Sequence, residues 1–522
     1  MSCTKPNIIY IYADDLGHGM LSCYGQKHFK TPHIDSLADQ GVRFTHAYGT
    51  AFCAPARACL LTGMHDSHAG RWTFNEAGLY EEHTAGELSL EETFELINNT
   101  GIRPSDGQTF LATVAKKAGL YTGQIGKLEW GFTTSPQELE QHGWDYHYGY
   151  YDHLQCHGFF PHYLFENGQK LTIPENTAFR CGAGRYEAYE NNAVPHDPEG
   201  RKVYSQDLFD EKIVEFLHAH KDEPFFLYHP SQLPHGPTYY PDHFPEVESN
   251  PNLTPVEKEY ASMVLRLDQT VGLILKELDA LGLRENTMVL FASDNGHETN
   301  YLQPGRCLNS ENLKGEALNK RDLPFRTETC GDVFNGNGGL AGLKRDNWEG
   351  GARIPYIINW PQHGKKGVVS EHLISNYDTL ASIAELLGVK LNSETDGISY
   401  LPELRGEKNA PEHDHIVYAS YNGPSLVSSD GWKLRTFVRR DKIVDFSMFG
   451  TKLENLADAI IFQLYNLNED PTEKKDLSCT EPKRLKDLVG RLLKECDGNI
   501  VNGTPEAHFA FYNRHTLPVH KD

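Results

Sequence analysis

The sequence predicts an α/β fold with a large, mostly parallel or mixed sheet sandwiched by helices and a smaller C-terminal α+β unit. Three observations carry this. Short apolar, β-branched runs recur at residues 8–13, 42–47, 121–125, 225–229 and 288–292. Helical stretches such as 207–220 and 257–281 lie between them. Four of the runs end in polar or charged loops. Buried strands alternating with amphipathic helices make a sheet covered on both faces, and ligands bind such sheets beyond the carboxyl ends of the strands.

In chain order, residues 8–13 (Ile-Ile-Tyr-Ile-Tyr-Ala) form a strand that ends in Asp14-Asp15. Residues 31–41 have Pro early and Gly at the end, the punctuation of a helix. A second strand covers 42–47. Residues 53–62 form a helix with Pro55 in its first turn and Gly63 just past its end. The strand at 121–125 leads to Gly126-Lys127, that at 225–229 to Pro234-His235, and that at 288–292 to Ser293-Asp294-Asn295. Segments 131–205 and 296–340 have no clear period and are expected to be long insertions lining a cleft. Beyond residue 405, short strands at 417–420, 426–428, 432–437 and 462–465 precede a helix at 482–496. The expected division is a catalytic unit, 1–405, and a C-terminal subdomain, 406–522, with a small antiparallel sheet and a helix.

The 522 residues are 39% hydrophobic and 11% aromatic, enough for a sizeable core. No apolar run approaches the roughly 18 residues of a membrane span. A formal charge of −23 excludes nucleic acid as the main partner but not a small anionic substrate in a locally basic cleft. The ten cysteines show no CxxC spacing, so this is not a disulfide scaffold. The N-terminus carries no leader pattern, which implies a cytoplasmic protein as written, or a periplasmic or secreted one if a leader was removed. Oligomeric state is not encoded in any motif.

The sharpest chemical signal is Cys53-Ala-Pro-Ala-Arg57. A cysteine at a helix N-terminus, with an arginine one turn on, is in a setting that lowers a thiol's pKa and suits an anion. By itself this also fits a buried structural cysteine or a cysteine hydrolase. Asp14, Asp15 and Asp294 offer carboxylates and Asn295 a carbonyl oxygen, a hard donor set that suits Ca2+ or Mg2+ rather than zinc.

Cys53-x-Pro55-x-Arg57 resembles the signature of the formylglycine-dependent sulfatases, with Ala56 where the family usually has Ser. Further motifs follow in the family's order. They are Ala13-Asp-Asp-Leu-Gly17, Pro234-His235-Gly-Pro237, Ser293-Asp-Asn-Gly296, Lys344 with Glu349-Gly-Gly and Arg353-Ile-Pro355, Asp396-Gly-Ile-Ser, and Leu464-Tyr-Asn-Leu-Asn-Glu-Asp-Pro. The resemblance covers about residues 6–480. It implies an alkaline-phosphatase-like fold and hydrolysis of sulfate monoesters. It implies a nucleophile made by a formylglycine-generating enzyme from Cys53, beside one Ca2+ per chain held by Asp14, Asp15, Asp294, Asn295 and the modified Cys53. Lys127 and Lys344 are assigned to sulfate oxygens, Arg57 to charge stabilisation, and His235 to the leaving-group side. Glu129 stands where the family often has a histidine that contacts the nucleophile, and is a candidate general base. The missing proline near Asp378-Thr379 is a structural departure.

The aromatic and histidine-rich stretch 144–163 (Tyr146, Tyr148, Tyr150, Tyr151, His153, His157 and His162 among its residues) is a candidate sugar-stacking surface. A sulfated carbohydrate is therefore the expected substrate, ahead of a small aryl ester. His18, His65, His68 and His229 are expected to serve packing or the surface rather than catalysis, and His297 is a candidate beside the metal motif. The alternatives are a phosphodiesterase or phosphonate monoester hydrolase on the same fold, and a non-catalytic glycan-binding protein.

Overall fold

Apart from Asn7, the first strand holds only apolar and tyrosine side chains, so both its faces demand cover. In the computed structural model β1 (Asn7–Ala13) is buried along its whole length. The structure describes residues 5–50, 52–69, 77–100, 108–178, 199–238, 240, 242–302, 324–439 and 460–504.

The strands are, in order, β1, β2 (Val42–Phe44), β3 (Ala47–Tyr48), β4 (Tyr121–Gly126), β5 (Tyr146–Gly149), β6 (Tyr163–Glu166), β7 (Gln169–Thr172), β8 (Phe225–Pro230), β9 (Thr287–Ser293), β10 (Tyr356–Asn359), β11 (Val368–Ser370), β12 (Ile374–Ser375), β13 (His415–Tyr418), β14 (Ser425–Ser428), β15 (Trp432–Val438) and β16 (Ile460–Asn466). Ten make one mixed sheet in the order β11-β2-β10-β9-β1-β8-β4-β5-β6-β7. Its centre is parallel: β1 pairs with β8 and β9, and β4 with β8 and β5. β10 runs antiparallel between β9 and β2, and β5, β6 and β7 form an antiparallel edge.

The alternation along β1 divides the core. Ile8, Tyr10 and Tyr12 face a cluster that includes Ala54, Ala58 and Leu61 of the Cys53–Thr62 helix. Ile9, Ile11 and Ala13 face the other side, packed with Ile213 of the Ser205–Ala219 helix and Val264 of the Pro255–Ala280 helix. Helices on both faces of a mostly parallel sheet are the fold expected. No helix among the described residues is long and apolar enough to cross a membrane.

Two expectations need correction. The strand expected at 42–47 is broken: Val42–Phe44 joins the large sheet, while Ala47–Tyr48 pairs with β12 in a separate ribbon. The partly exposed Thr45 and His46 make the break, with Thr45 N donating to Ser370 O at 2.9 Å. Segment 131–205 is not a plain insertion. It contributes β5, β6 and β7 and the Pro136–His142 helix, whose first turn is capped by Ser135 accepting from Glu138 N at 3.2 Å. Four-residue strands are too short to display a period. Residues 179–198 and 303–323, within the two expected insertions, lie outside the described residues.

The C-terminal strands form a four-stranded antiparallel sheet, β13-β14-β15-β16, against which Leu488 and Leu492 of the Pro482–Glu495 helix pack. This sheet is tied to β3 and to the segment before β10 by a buried ionic knot. Lys433 Nζ on β15 lies 3.0 Å from Glu349 Oε1 and 2.8 Å from Glu473 Oε1, with all three side chains fully buried. Tyr48 OH donates to Glu349 Oε2 at 2.7 Å, and Glu349 N donates to Glu473 Oε2 at 2.7 Å. Removing one partner of a buried ion pair strands the others. Lys433→Met is therefore expected to lower unfolding stability by about 3–5 kcal/mol in chemical denaturation. A loss below about 1 kcal/mol, the size of an exposed pair, would contradict the knot's importance.

Candidate active site

Four neighbouring parallel strands end side by side, and the loop after each delivers a polar group to one place. β1 delivers Asp14 and Asp15, β9 Asp294 and Asn295, β4 Lys127, and β8 the loop to His235. Asp15 adopts a left-handed φ of 64°, an uncommon conformation for a non-glycine residue that turns its carboxylate back towards Asn295. Gly126, before Lys127, has φ 139°, and a β-carbon there would stand 2.4 Å from Pro230 O. Only glycine lets β4 pass β8 so closely.

Cys53 is the first residue of its helix, after an extended Phe52 that provides no side-chain cap. Its sulfur lies within 4.8 Å of carboxylate oxygens of both Asp14 and Asp294. One turn on, Arg57 is 1% exposed. Its Nη2 donates to Asp294 Oδ2 at 3.1 Å and lies 3.9 Å from Asp14 Oδ2. Lys127 Nζ donates to Asp14 Oδ2. Lys344 Nζ lies 2.7 Å from Asp15 Oδ1 and 3.2 Å from His235 Nε2. The site residues expected from the sequence thus converge, with Glu129 the exception.

Burial pushes all three aspartates towards the neutral form, and the cations decide the outcome. At Asp14, Lys127 and Arg57, joined by His235 only in acid where its ring is charged, outweigh burial and hold the carboxyl well below the usual carboxylate range. At Asp15, Lys344 does the same, more weakly. At Asp294, burial and the Asp14 charge overcome Arg57 and push the group up. Two oxygens are left over. Asp14 Oδ1 and Asn295 Oδ1 are buried without a hydrogen-bond partner. The Asn295 amide nitrogen is committed to Asp15 Oδ1 at 2.8 Å and Gly296 O at 2.9 Å, which fixes the carbonyl's direction. Buried polar atoms are rarely left unpaired. Orphaned hard oxygens beside three carboxylates suit a hard divalent cation.

The thiol departs from expectation. Burial pushes Cys53 up, with Lys127 opposing and Asp14 adding to the rise, so the helix N-terminus does not make it a thiolate. Among the described residues, no hydrogen bond joins its sulfur to a histidine. Both features argue against a plain cysteine hydrolase, which needs a thiolate or a positioned base.

Glu129 also needs correction. Its carboxylate is fully buried, Trp144 Nε1 donates to Oε2 at 2.5 Å, and Oε1 pairs with His142 Nδ1. With both oxygens engaged by His142 and Trp144, it is not placed to act as a base on the residue-53 side chain. The aromatic stretch is also mostly core: Trp144 stacks on Phe226 and Tyr228, and Tyr151 on Phe165. His162 bonds Asn176 O at 2.8 Å. His153, Cys156 and His157 turn to the site. The His157 ring stacks on His235 with centroids 4.0 Å apart, and His153 meets His157 edge-on at 4.4 Å. His297 is fully buried against Tyr301 OH at 2.5 Å, a packing role.

Three contributors were not found in the sequence. Tyr12 lies under Arg57, 5.3 Å from guanidinium carbon to ring centroid, and Tyr228 OH accepts from Arg57 Nη1 at 3.5 Å. Asn376 Nδ2 donates to Ala56 O at 2.9 Å, anchoring the helix. The signal for the tyrosines was their position on β1 and β8, facing the same side as the cysteine helix.

Residues 6–389 match the profile of the Sulfatase family, and residues 343–498 that of the N-sulphoglucosamine sulphohydrolase C-terminal region. The chain is 29% identical to an N-acetylgalactosamine-6-O-sulfatase of Bacteroides thetaiotaomicron, covering 93% of this chain and 92% of that one. It is 29% identical to arylsulfatase A of Bos taurus, covering 91% and 84%. Among solved structures, a Bacteroides thetaiotaomicron 6S-sulfatase from work on glycosaminoglycan metabolism superposes with a TM-score of 0.66 at 26% identity, covering 95% of this chain and all of that one.

The placement of Glu129 is testable against that of the strand-end cations. Glu129→Gln is expected to lower stability by about 1–3 kcal/mol while turnover stays within about tenfold of wild type. Lys127→Ala is expected to lose about 100-fold or more in turnover. Steady-state rates beside thermal melts separate the two, and a larger rate loss for Glu129→Gln would return it to the chemistry.

Proposed function

Because this chain belongs to the sulfatase family and is a sulfuric ester hydrolase, we propose that it removes sulfate from sulfated carbohydrate using formylglycine made from Cys53 and one Ca2+. The observation that carries this is the approach of Cys53 to within 4.8 Å of Asp14 and Asp294, beside two buried oxygens without partners. Asp14, Asp15, Asp294 and Asn295 are the residues that would hold the calcium, which supplies a Lewis acid for a sulfate oxygen. The hydrated aldehyde supplies two hydroxyls on one carbon, one to attack sulfur and one to release sulfate, which neither serine nor cysteine can do.

The remaining roles belong to the chain's own side chains. Lys127 and Lys344, each paired to an aspartate, bring two ammonium groups to the sulfate oxygens, and Arg57 holds Asp294 in place. Asp294, with a carboxylate oxygen within 4.8 Å of the residue-53 side chain, takes the nucleophile's proton. His235 Nδ1 faces Gly236 O and therefore donates, leaving Nε2 to accept from Lys344 Nζ at 3.2 Å. Burial lowers His235 to about 4, with Lys344 adding to the fall and Asp15 opposing it, so at neutral pH the ring is uncharged. It sits on the leaving-group side, its ring held in place by Lys344 Nζ at Nε2 and Gly236 O at Nδ1.

The carbohydrate reading rests on the relatives and on two rings. His153 Nδ1 and His157 Nε2 are buried without hydrogen-bond partners. Burial lowers both histidines; Lys127 and His235 add to this at His153, and His235 and His153 at His157. Neutral imidazoles at the edge of the cleft suit sugar hydroxyls. A 6-O-sulfated N-acetylhexosamine is the first substrate to offer.

Two measurements test this. Mass analysis of the peptide spanning residues 43–71 is expected to show an aldehyde at position 53; a preparation that desulfates with an intact thiol there would refute the modification. In desulfation assays His153→Ala is expected to slow a sulfated sugar about tenfold more than an aryl sulfate. Equal losses would remove the sugar role, and faster cleavage of an aryl phosphodiester than of any sulfate would favour phosphorus chemistry.

A further inference from the structure

The chain leaving the cysteine helix enters a second cluster of titratable groups that the sulfatase chemistry does not use. Gly63 ends the helix, and His65 N donates to Asp396 Oδ2 at 2.8 Å. The His65 and His68 rings stack with centroids 3.9 Å apart. His68 Nε2 lies 3.0 Å from Asp396 Oδ2; His65 Nε2 lies 3.9 Å from the same oxygen and 3.6 Å from Glu495 Oε2. Asp497 Oδ2 is 3.4 Å from His68 Nδ1, and Glu495 Oε1 is 3.4 Å from His415 Nε2. His65, Asp396, His415 and Glu495 line one cleft of about 230 Å³.

Two features point to a cation site. His65 is 3% exposed, and its Nε2 has no hydrogen-bond partner. The ion pairs of Asp396, Glu495 and Asp497 among the described residues are all with histidine, so no lysine or arginine is paired with these three carboxylates. We propose that His65, His68, Asp396 and Glu495 form a binding site for a single Zn2+. The donors are two imidazole nitrogens and two carboxylate oxygens, a set that selects zinc over calcium. The His65, His68 and Asp396 donor atoms lie within 4.8 Å of one another. The measured gaps bracket the roughly 3.3 Å between ligands that metal bonds of about 2.0–2.1 Å give in a tetrahedron. Capture requires the stacked rings to fan slightly. It also requires His65 Nδ1 to give up its long 3.3 Å contact with Ser67 N and take the proton.

The ligands come from three places: the segment after the cysteine helix, Asp396, and the last residue of the Pro482–Glu495 helix. The ion would stitch the small sheet's helix to the large sheet, so its effect is on stability rather than on turnover.

The test is a Zn2+ titration of chelator-treated protein, reading bound zinc per chain by elemental analysis and the melting temperature. Wild type is expected to hold one zinc more than His65→Gln and than Glu495→Gln, and to gain melting temperature that neither variant gains. The Glu495 variant keeps hydrogen-bonding groups in place should His65→Gln fold poorly. Cys156→Ser, which disrupts the separate His153–Cys156–His157 group, is expected to match wild type. Equal zinc in wild type and both cluster variants, zinc lost only in Cys156→Ser, or no zinc retained by wild type would each overturn the site.

Discussion

Burying carboxylates beside one another at the ends of parallel strands is the constraint on which this molecule turns. Charged groups in an apolar interior are tolerated only when paired and hydrogen-bonded. Asp14, Asp15 and Asp294 are all 1% exposed or less, and each is met by a cation from a different part of the chain: Lys127 from β4, Lys344 from the loop before β10, and Arg57 from the cysteine helix. That compensation determines where the helix must dock, and hence where residue 53 lies. The chemistry and the packing of this end of the sheet are one arrangement.

The same logic explains why the small C-terminal sheet belongs to the site without touching it. Lys344 sits a few residues before Glu349, and Glu349 is held by Lys433 and Tyr48. Arg353, one turn further, donates to Thr45 O at 2.6 Å. The loop that offers Lys344 is therefore anchored at its far end to the small sheet and to the Thr45–Tyr48 segment, and Asn347 Nδ2 adds bonds to Gly423 O and Thr436 O at 3.1 and 2.8 Å. The role proposed for Lys344 needs this rigidity, since preorganised charge loses no energy to reorganisation during reaction.

Much of this was legible in the residues. The four strand-end motifs and the Cys53–Thr62 helix could be placed because each pairs a strong local signal, an apolar run or a Pro and Gly boundary, with a polar terminus. Glu129 was misassigned because motif position says which loop a residue occupies, not which way its side chain points; Trp144 and His142 draw it inward. The thiol's pKa was misjudged because the helix N-terminus is visible in sequence whereas full desolvation is not. Tyr12, Tyr228 and Asn376 support the site through contacts between distant segments, and the cluster at His65 and Glu495 joins residues more than four hundred positions apart. No local pattern carries such pairings.

The central claim is that the strand-end oxygens hold a divalent cation against the residue-53 side chain. Calorimetric titration of the metal-free protein with Ca2+ tests it most directly. The account predicts one tight site in wild type that is lost in Asn295→Ala, where the orphaned carbonyl is removed and the carboxylates stay. Undiminished calcium binding in that variant, or none in wild type, would contradict it.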